Sequence, residues 1–207
     1  MKRAAGFTIP FRKGDDKMSY SKFLSEVLIT EEQLKERIQQ LGEEITRDYK
    51  NSTNLVLICI LRGGVVFLTD LMRVIQIPHA VEFMAVESYG HGGRESSGQV
   101  RISHDLNTNI RDRDVILVED IIDSGVTLFS VLELLSARKP KSLEVCTLLD
   151  KYERREKDVY VKYVGFPIKN KFVFGYGLDL DDLYRNLPFV GVVDEDKYKQ
   201  YKFKNQE

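Results

Sequence analysis

Val115-Ile116-Leu117-Val118-Glu119-Asp120-Ile121-Ile122-Asp123-Ser124-Gly125-Val126-Thr127 decides how the rest of the chain is read. Val115 to Val118 is a continuous apolar run, the pattern of a strand buried on both faces of a parallel sheet. The run ends in two adjacent carboxylates and passes into a tight turn with Asp123, Ser124 and Gly125. Leu128, Val131, Leu132 and Leu135 then recur at helical spacing. A strand end, a small-residue turn and a helix start together predict an anion site, because the first N–H groups of a helix are unpaired and its dipole favours negative charge. Gly125 lets the backbone approach a ligand, and Ser124 and Thr127 add hydroxyl donors. Glu119 and Asp120 would repel a phosphate unless they serve a neutral polyol or a divalent cation; ribose hydroxyls and Mg²⁺ both fit. A sugar phosphate is the ligand these residues imply. A helix cap from Asp123 or Ser124 is the plainer reading, but it leaves the two upstream acids unexplained.

Outward from this stretch, Leu55 to Leu61 is a second unbroken apolar run, predicted to be a central strand. Arg62-Gly63-Gly64 follows, and Val65 to Ile75 reads as a helix, so the strand–turn–helix layout occurs twice. This loop is either a second place for anionic oxygens, with backbone amides and Arg62 as donors, or a plain turn that uses the positive φ of glycine. Upstream, Thr30 to Gln33 is a capping-box pattern, and Leu34, Ile38, Leu41 and Ile45 mark a helix to about Tyr49. Val81 to Val86 predicts another strand, and Val100 to Ile102 reads as its return. Between them, Ser88 to Arg101 holds four glycines and three serines with almost nothing apolar, which suits a mobile lid or a passive insertion. Leu106 to Arg113 is a polar connection. Beyond Pro140, Leu143 to Leu149 predicts a strand and Asp150 to Asp158 a charged loop. Val159 to Val164, Phe172 to Phe174 and Val190 to Val193 are shorter strand candidates.

Strand–helix alternation through the middle predicts an α/β fold, a central parallel sheet flanked by helices. Residues 1–29 read as irregular with short strands at Phe7 to Ile9 and Phe23 to Ile29. The expected organisation is one domain over 1–207, its core at about 30–165. The segments at about 1–29 and 166–207 form a small cap, and 88–101 is the lid. The length of 207 residues suits one core. A net charge of −1 makes no electrostatic case for nucleic acid or a membrane surface. No signal-peptide core and no apolar run of about 20 residues is present. Cys59 and Cys146 sit in apolar runs and read as buried thiols, and no CxxC or Cys/His cluster suggests zinc. His79, His91 and His104 lack metal or triad spacing. The expected location is cytoplasmic. The tail from Lys197 to Lys204, with Lys between Tyr and Phe, reads as an edge strand or solvated tail rather than an RNA contact.

The decisive stretch resembles the phosphoribosyl-diphosphate (PRPP) binding motif of the type I phosphoribosyltransferases: an apolar strand, two acids, two apolar residues, then Asp, Ser or Thr, Gly, any residue and Thr. Leu148-Leu149-Asp150-Lys151, and Lys171-Phe172-Val173 through Asp179, are similar to the base-recognition segments of the hypoxanthine-guanine branch of that family. The likeness runs from about Leu55 to Val193. It implies purine salvage, with Mg²⁺-dependent transfer of the 5-phosphoribosyl group from PRPP to hypoxanthine or guanine, giving IMP or GMP and diphosphate.

The resemblance also implies roles for individual residues. Asp123 is the acid/base at the purine imidazole. Glu119 and Asp120 bind the ribose hydroxyls, directly or through Mg²⁺, and Ile121 and Ile122 lie along the ligand. Ser124, Gly125, Val126 and Thr127 cradle the 5′-phosphate; Val126 stands where some relatives carry a charged residue. Arg62 and Gly63 hold the diphosphate, with a cis peptide between Leu61 and Arg62 and Arg62 in place of a common Lys. Ser88 and Tyr89 open the lid. Lys151 donates to the 6-oxo group, Lys171 flanks the base, Phe172 stacks on it and Val173 reads its edge through the backbone. Asp179 ligates Mg²⁺ and Arg185 binds diphosphate. Each has a plainer reading: Phe172 as core packing, Asp179 with Asp181 and Asp182 as a solvated acidic turn, Arg185 as a surface ion pair. The family implies a homodimer or homotetramer. Xanthine as a main acceptor, or a non-catalytic nucleotide- or RNA-binding regulator on the same scaffold, stays open.

Overall fold

The structure, a computed structural model, describes residues 20–88 and 100–204. Among them the strands are β1 (Leu24–Ile29), β2 (Leu55–Leu61), β3 (His79–Ser88), β4 (Val100–His104), β5 (Asp114–Ile122), β6 (Ser142–Asp150), β7 (Tyr163–Pro167), β8 (Val173–Phe174) and β9 (Val190–Val193). The helices are α1 (Glu31–Asp48), α2 (Val65–Val74), α3 (Val126–Ser136) and α4 (Glu195–Lys204). Six strands form one sheet in the order β4-β3-β2-β5-β6-β7, all parallel except the edge strand β4, and β1, β9 and β8 form a small antiparallel sheet. This is the predicted α/β fold.

The apolar runs explain the layers. Successive side chains of a strand point to opposite faces. Leu55, Leu57 and Cys59 accordingly pack with Leu34, Ile38 and Leu41 of α1 and Phe67 and Leu71 of α2. Val56, Ile58 and Ile60 pack on the other face with Leu128, Val131 and Leu135 of α3. Both faces of β2 are covered, so an uninterrupted apolar sequence is what this strand needs. The capping box at the start of α1 is present: Thr30 accepts from the Gln33 amide, and the Gln33 side chain accepts from Thr30 N.

Strand order places the functional end of the sheet. From β2 the chain moves outward to β3, whereas from β5 it moves the other way to β6 and β7. The order reverses between β2 and β5, and open parallel sheets bind ligands in the crevice at the carboxyl ends of the strands flanking such a reversal. The two turns singled out in the sequence, Arg62-Gly63-Gly64 and Asp123-Ser124-Gly125, are what follow those two strand ends.

Four expectations are corrected. β5 does not stop at the acids but runs through them to Ile122, held by parallel pairing of Glu119, Ile121 and Ile122 with Thr147, Leu149 and Asp150. The strand expected at Val159 to Val164 begins at Tyr163 and ends at Pro167. Gly165 belongs inside it because a Cβ there would sit 2.4 Å from the Leu148 carbonyl oxygen, and Pro167 is tolerated at the end of an edge strand. Ser88 and Val100 face each other in paired strands, so both ends of the expected lid 88–101 are strand; residues 89–99, Tyr89 among them, lie outside the described residues, as do Phe7 to Ile9. The tail is a helix. Asp194 accepts from the Lys197 amide at 3.1 Å, Glu195 and Asp196 occupy the first turn where the dipole favours them, and Tyr198 and Tyr201 share one face that packs on Phe23.

Candidate active site

The loop after β2 is clamped between two partners. A Cβ on Gly63 would lie 1.6 Å from Asp120 Oδ2, so only glycine lets this backbone pass the carboxylate. On the other side Gly177, at φ 97°, has no room for a Cβ, which would meet the Gly63 carbonyl oxygen at 2.3 Å. The Leu61–Arg62 peptide is cis, as the resemblance implied. Gly177 belongs to a loop in which Tyr176, Asp181, Asp182 and Tyr184 also take positive φ. That loop carries Asp179 and Arg185. Arg185 lies 2.8 Å from Asp179 Oδ1 and donates to the Gly177 carbonyl at 2.8 Å, and Arg62 donates to Asp182 at 2.9 Å. The Arg62–Asp182 pair therefore ties the Arg62 loop to the Asp179–Arg185 loop, and Arg185 braces the second loop from within. The acidic turn is not merely solvated.

Glu119 and Asp120 lie near the end of β5, Asp120 against the Gly63 loop and Glu119 buried beside it. Burial, then the charge of Asp120, pushes the Glu119 carboxyl well above the ordinary range. Burial also lifts Asp120 to about 6; backbone N–H groups, including Ile121 N at 2.8 Å, and the Arg185 charge hold it down, while Asp179 pushes the other way. The Asp120 charge raises Glu119, and the Arg185 charge offsets only part of the burial of Asp120. The hard oxygen donors of the two carboxylates fit a divalent cation of the Mg²⁺ type, which takes one or two carboxylates and fills its shell with water and substrate oxygens. Among the described residues no group of three or more His, Cys, Asp or Glu side chains is placed to hold a metal unaided. The expected set of Glu119, Asp120 and Asp179 is thus not one closed cage.

The turn after β5 is open for an anion. Gly125, at φ 80°, is the N-cap of α3 and has no side chain to cap it; the Ser124 Oγ accepts from the Val126 amide at a long 3.4 Å. Asp123 is therefore not a cap. Its Oδ2 accepts from Lys151 Nζ at 3.1 Å, and Arg154 Nε lies 3.2 Å from Oδ1 as a charge neighbour without a directed hydrogen bond. Lys151 is buried, at 7% exposure, at the end of β6, where its backbone N–H donates to the Ile122 carbonyl. The loop beyond it folds back on the turn: the amides of Glu156 and Lys157 donate to the Ser124 carbonyl at 2.9 and 3.2 Å. Arg154 and Arg155 were hidden in the sequence as part of a charged loop; the two adjacent arginines just after Lys151 were the available signal.

Phe172 is 43% exposed, whereas Phe174, two residues on, is fully buried. Core packing is excluded for Phe172, and its ring is free to meet a flat ligand. Val173 is buried in β8, and Lys171 turns to the small sheet, ion-paired with Glu26. Ser88 closes β3. Val126 and Thr127 open α3, and Ile121 and Ile122 finish β5.

Comparison with known proteins agrees with this geometry. The family described as "Phosphoribosyl transferase domain" matches residues 28–181. A hypoxanthine phosphoribosyltransferase of Salmonella typhimurium is 52% identical over 169 residues, 81% of this chain and 94% of the relative. A hypoxanthine-guanine phosphoribosyltransferase of Dictyostelium discoideum is 48% identical, covering 84% of this chain and 98% of its own. The crystal structure of a Staphylococcus aureus hypoxanthine phosphoribosyltransferase superposes with a TM-score of 0.81 at 47% identity, covering 84% of this chain and 94% of that one. With the crevice at the sheet reversal, the glycine turn and the acid pair in place, the chain belongs to the hypoxanthine-guanine phosphoribosyltransferases of the type I phosphoribosyltransferase family.

Proposed function

We propose that this chain uses PRPP and a 6-oxopurine, hypoxanthine or guanine, as substrates, with Mg²⁺. The observation that carries the reading is the Asp123 carboxylate, paired with Lys151 at the lip of the glycine turn that opens α3. In the reaction a purine imidazole nitrogen forms a bond to C1 of the ribose while the C1–O bond to diphosphate breaks, its electron pair leaving with the diphosphate. The purine N–H proton must go to a base as this happens, and Asp123 takes it in this reading. The amides of Ser124 to Thr127 hold the 5′-phosphate, and Glu119 and Asp120 hold the ribose hydroxyls. Arg62 and Arg185 receive the diphosphate. Glu119 with Asp120, and Asp179, would hold Mg²⁺ together with substrate oxygens, and the metal would supply positive charge to the leaving group. Lys151 presents only N–H donors, which selects a 6-oxo group over the 6-amino group of adenine. Phe172 stacks on the purine and Val173 reads its edge.

A spectrophotometric transfer assay with PRPP, Mg²⁺ and hypoxanthine, guanine, xanthine or adenine tests this. Turnover of hypoxanthine and guanine is expected; product from adenine alone, or from no base, overturns the reading. Membership of the family supports a cytoplasmic homodimer or homotetramer, which sedimentation at several protein concentrations measures. Among the described residues no helix is long and apolar enough to cross a membrane.

A further inference from the structure

The proposed phosphate turn carries no cation of its own: Ser124, Gly125, Val126 and Thr127 are uncharged. A sugar phosphate brings a charge of about −1.5 to −2, and the Asp123 carboxylate adds more negative charge nearby. The positive groups around the turn are mostly committed. Lys151 and Arg154 face Asp123, and Lys157 Nζ sits 5.4 Å from the centre of the Phe129 ring. Arg155 differs. Its Nη2 donates to Asp150 Oδ1 at 2.6 Å, which anchors the guanidinium at the end of β6. Its Nη1 is buried and has no hydrogen-bond partner. That nitrogen is 3.3 Å from where a Cβ on Gly125 would be, directly against the turn.

An unpartnered buried donor on a charged group is costly, and its position says what offsets the cost. Arg155 is held by its other nitrogen, by its own stem against Gly125, and by the backbone bonds from Glu156 and Lys157 to the Ser124 carbonyl. It cannot swing out to water without undoing those contacts. We infer that Arg155 is the fixed cation of the 5′-phosphate subsite, its uncommitted Nη1 lying against Gly125 so that phosphate charge in the turn is neutralised from beneath. The inference rests on the turn being the 5′-phosphate site, as proposed above. It also gives Gly125 a second reason to be glycine, because any side chain there would push between the guanidinium and the turn.

The test is calorimetric titration of the full chain with IMP, which carries a 5′-phosphate, and separately with diphosphate and Mg²⁺, which do not use this turn. Arg155→Gln should weaken IMP about tenfold to a hundredfold, the scale of a hydrogen bond to a charged group, and leave diphosphate binding unchanged. Arg155→Lys should recover most of the loss because it keeps the charge. IMP binding unaffected by Arg155→Gln, or equal losses for IMP and diphosphate, overturns the inference, the second result marking a structural role only. Should the Gln variant fail to fold, the Lys variant decides: IMP affinity within about threefold of wild type supports the charge role, and a loss as large as a lost charged hydrogen bond overturns it. A wild type that binds diphosphate but not IMP removes the subsite itself, and with it the inference.

Discussion

At the scale of single residues, Asp123 is the sharpest point. Its carboxylate is held by side chains from the following loop rather than spent on capping α3. Asp123→Asn keeps the shape and removes the base, so turnover should fall by about 10²–10⁴ while PRPP affinity changes little; steady-state kinetics against PRPP binding by calorimetry separates the two, and unchanged turnover removes the role. Lys151→Ala should weaken hypoxanthine and guanine binding far more than PRPP binding, and equal losses would sink the base-recognition role. Gly63→Ala forces the Asp120 carboxylate aside, since the new Cβ would occupy its space. PRPP affinity should drop by about tenfold or more, the scale of a displaced charged contact, and calorimetry that shows native affinity would mean the Asp120 carboxylate makes no contact with PRPP. Asp123 and Lys151 were readable from the sequence because they lie in motifs that strand ends make recognisable. The partners of Gly63 were not, because Asp120 and Gly177 come from distant parts of the chain.

At the scale of elements, the start of β5 is tied down by one acid. Asp114, at 5% exposure, accepts from Ser52 Oγ at 2.6 Å, Ser142 Oγ at 2.8 Å and Lys141 Nζ at 3.2 Å. Burial by itself would raise its pKa; those three donors outweigh burial and leave it below the ordinary carboxylate value. Because the folded pKa lies below the unfolded one, the stabilisation is full at pH above about 4 and is lost as pH falls through the folded value. Asp114→Asn should therefore cost about 1–3 kcal/mol near neutrality, and the gap in melting temperature between wild type and variant should shrink as pH drops towards 3. A gap that stays constant with pH would show that the native carboxylate is not held low. The helix and strand cores of this layer were legible, since Leu34, Ile38, Leu41 and Ile45, and the runs at β2 and β5, repeat at the period of their own element. The end of β5 was not, because two charged residues look like a strand terminus unless the neighbouring β6 is known to pair with them.

At the scale of the whole molecule, a second core holds the small sheet to α4. Phe23 is fully buried there, with its ring centroid 5.0 to 5.8 Å from those of Phe174, Tyr184, Tyr198 and Tyr201. Phe23→Ala should cost about 3–5 kcal/mol. Hydrogen exchange should show protection lost first in α4 and β9, with the β2 and β5 amides retained longest; uniform loss would mean that the two cores unfold as one. This part of the fold was the least legible. Tyr198 and Tyr201 have meaning only once Phe23, far away in the chain, is seen beneath them, and the lysines interleaved with the aromatics from Lys197 to Lys204 imitate the alternation of an edge strand.

The sequence by itself determined the buried parallel strands, the capped first helix and the acid-then-glycine turn, because each depends on the periodicity or conformational preference of contiguous residues. Tertiary structure alone decided that Gly63 lies against Asp120, that the base-side loop lays Arg155 under Gly125, and that Lys171 turns away to Glu26. Those contacts join segments whose order along the chain carries no distance information, and they follow only when the reversal of strand order brings β2 and β5 side by side.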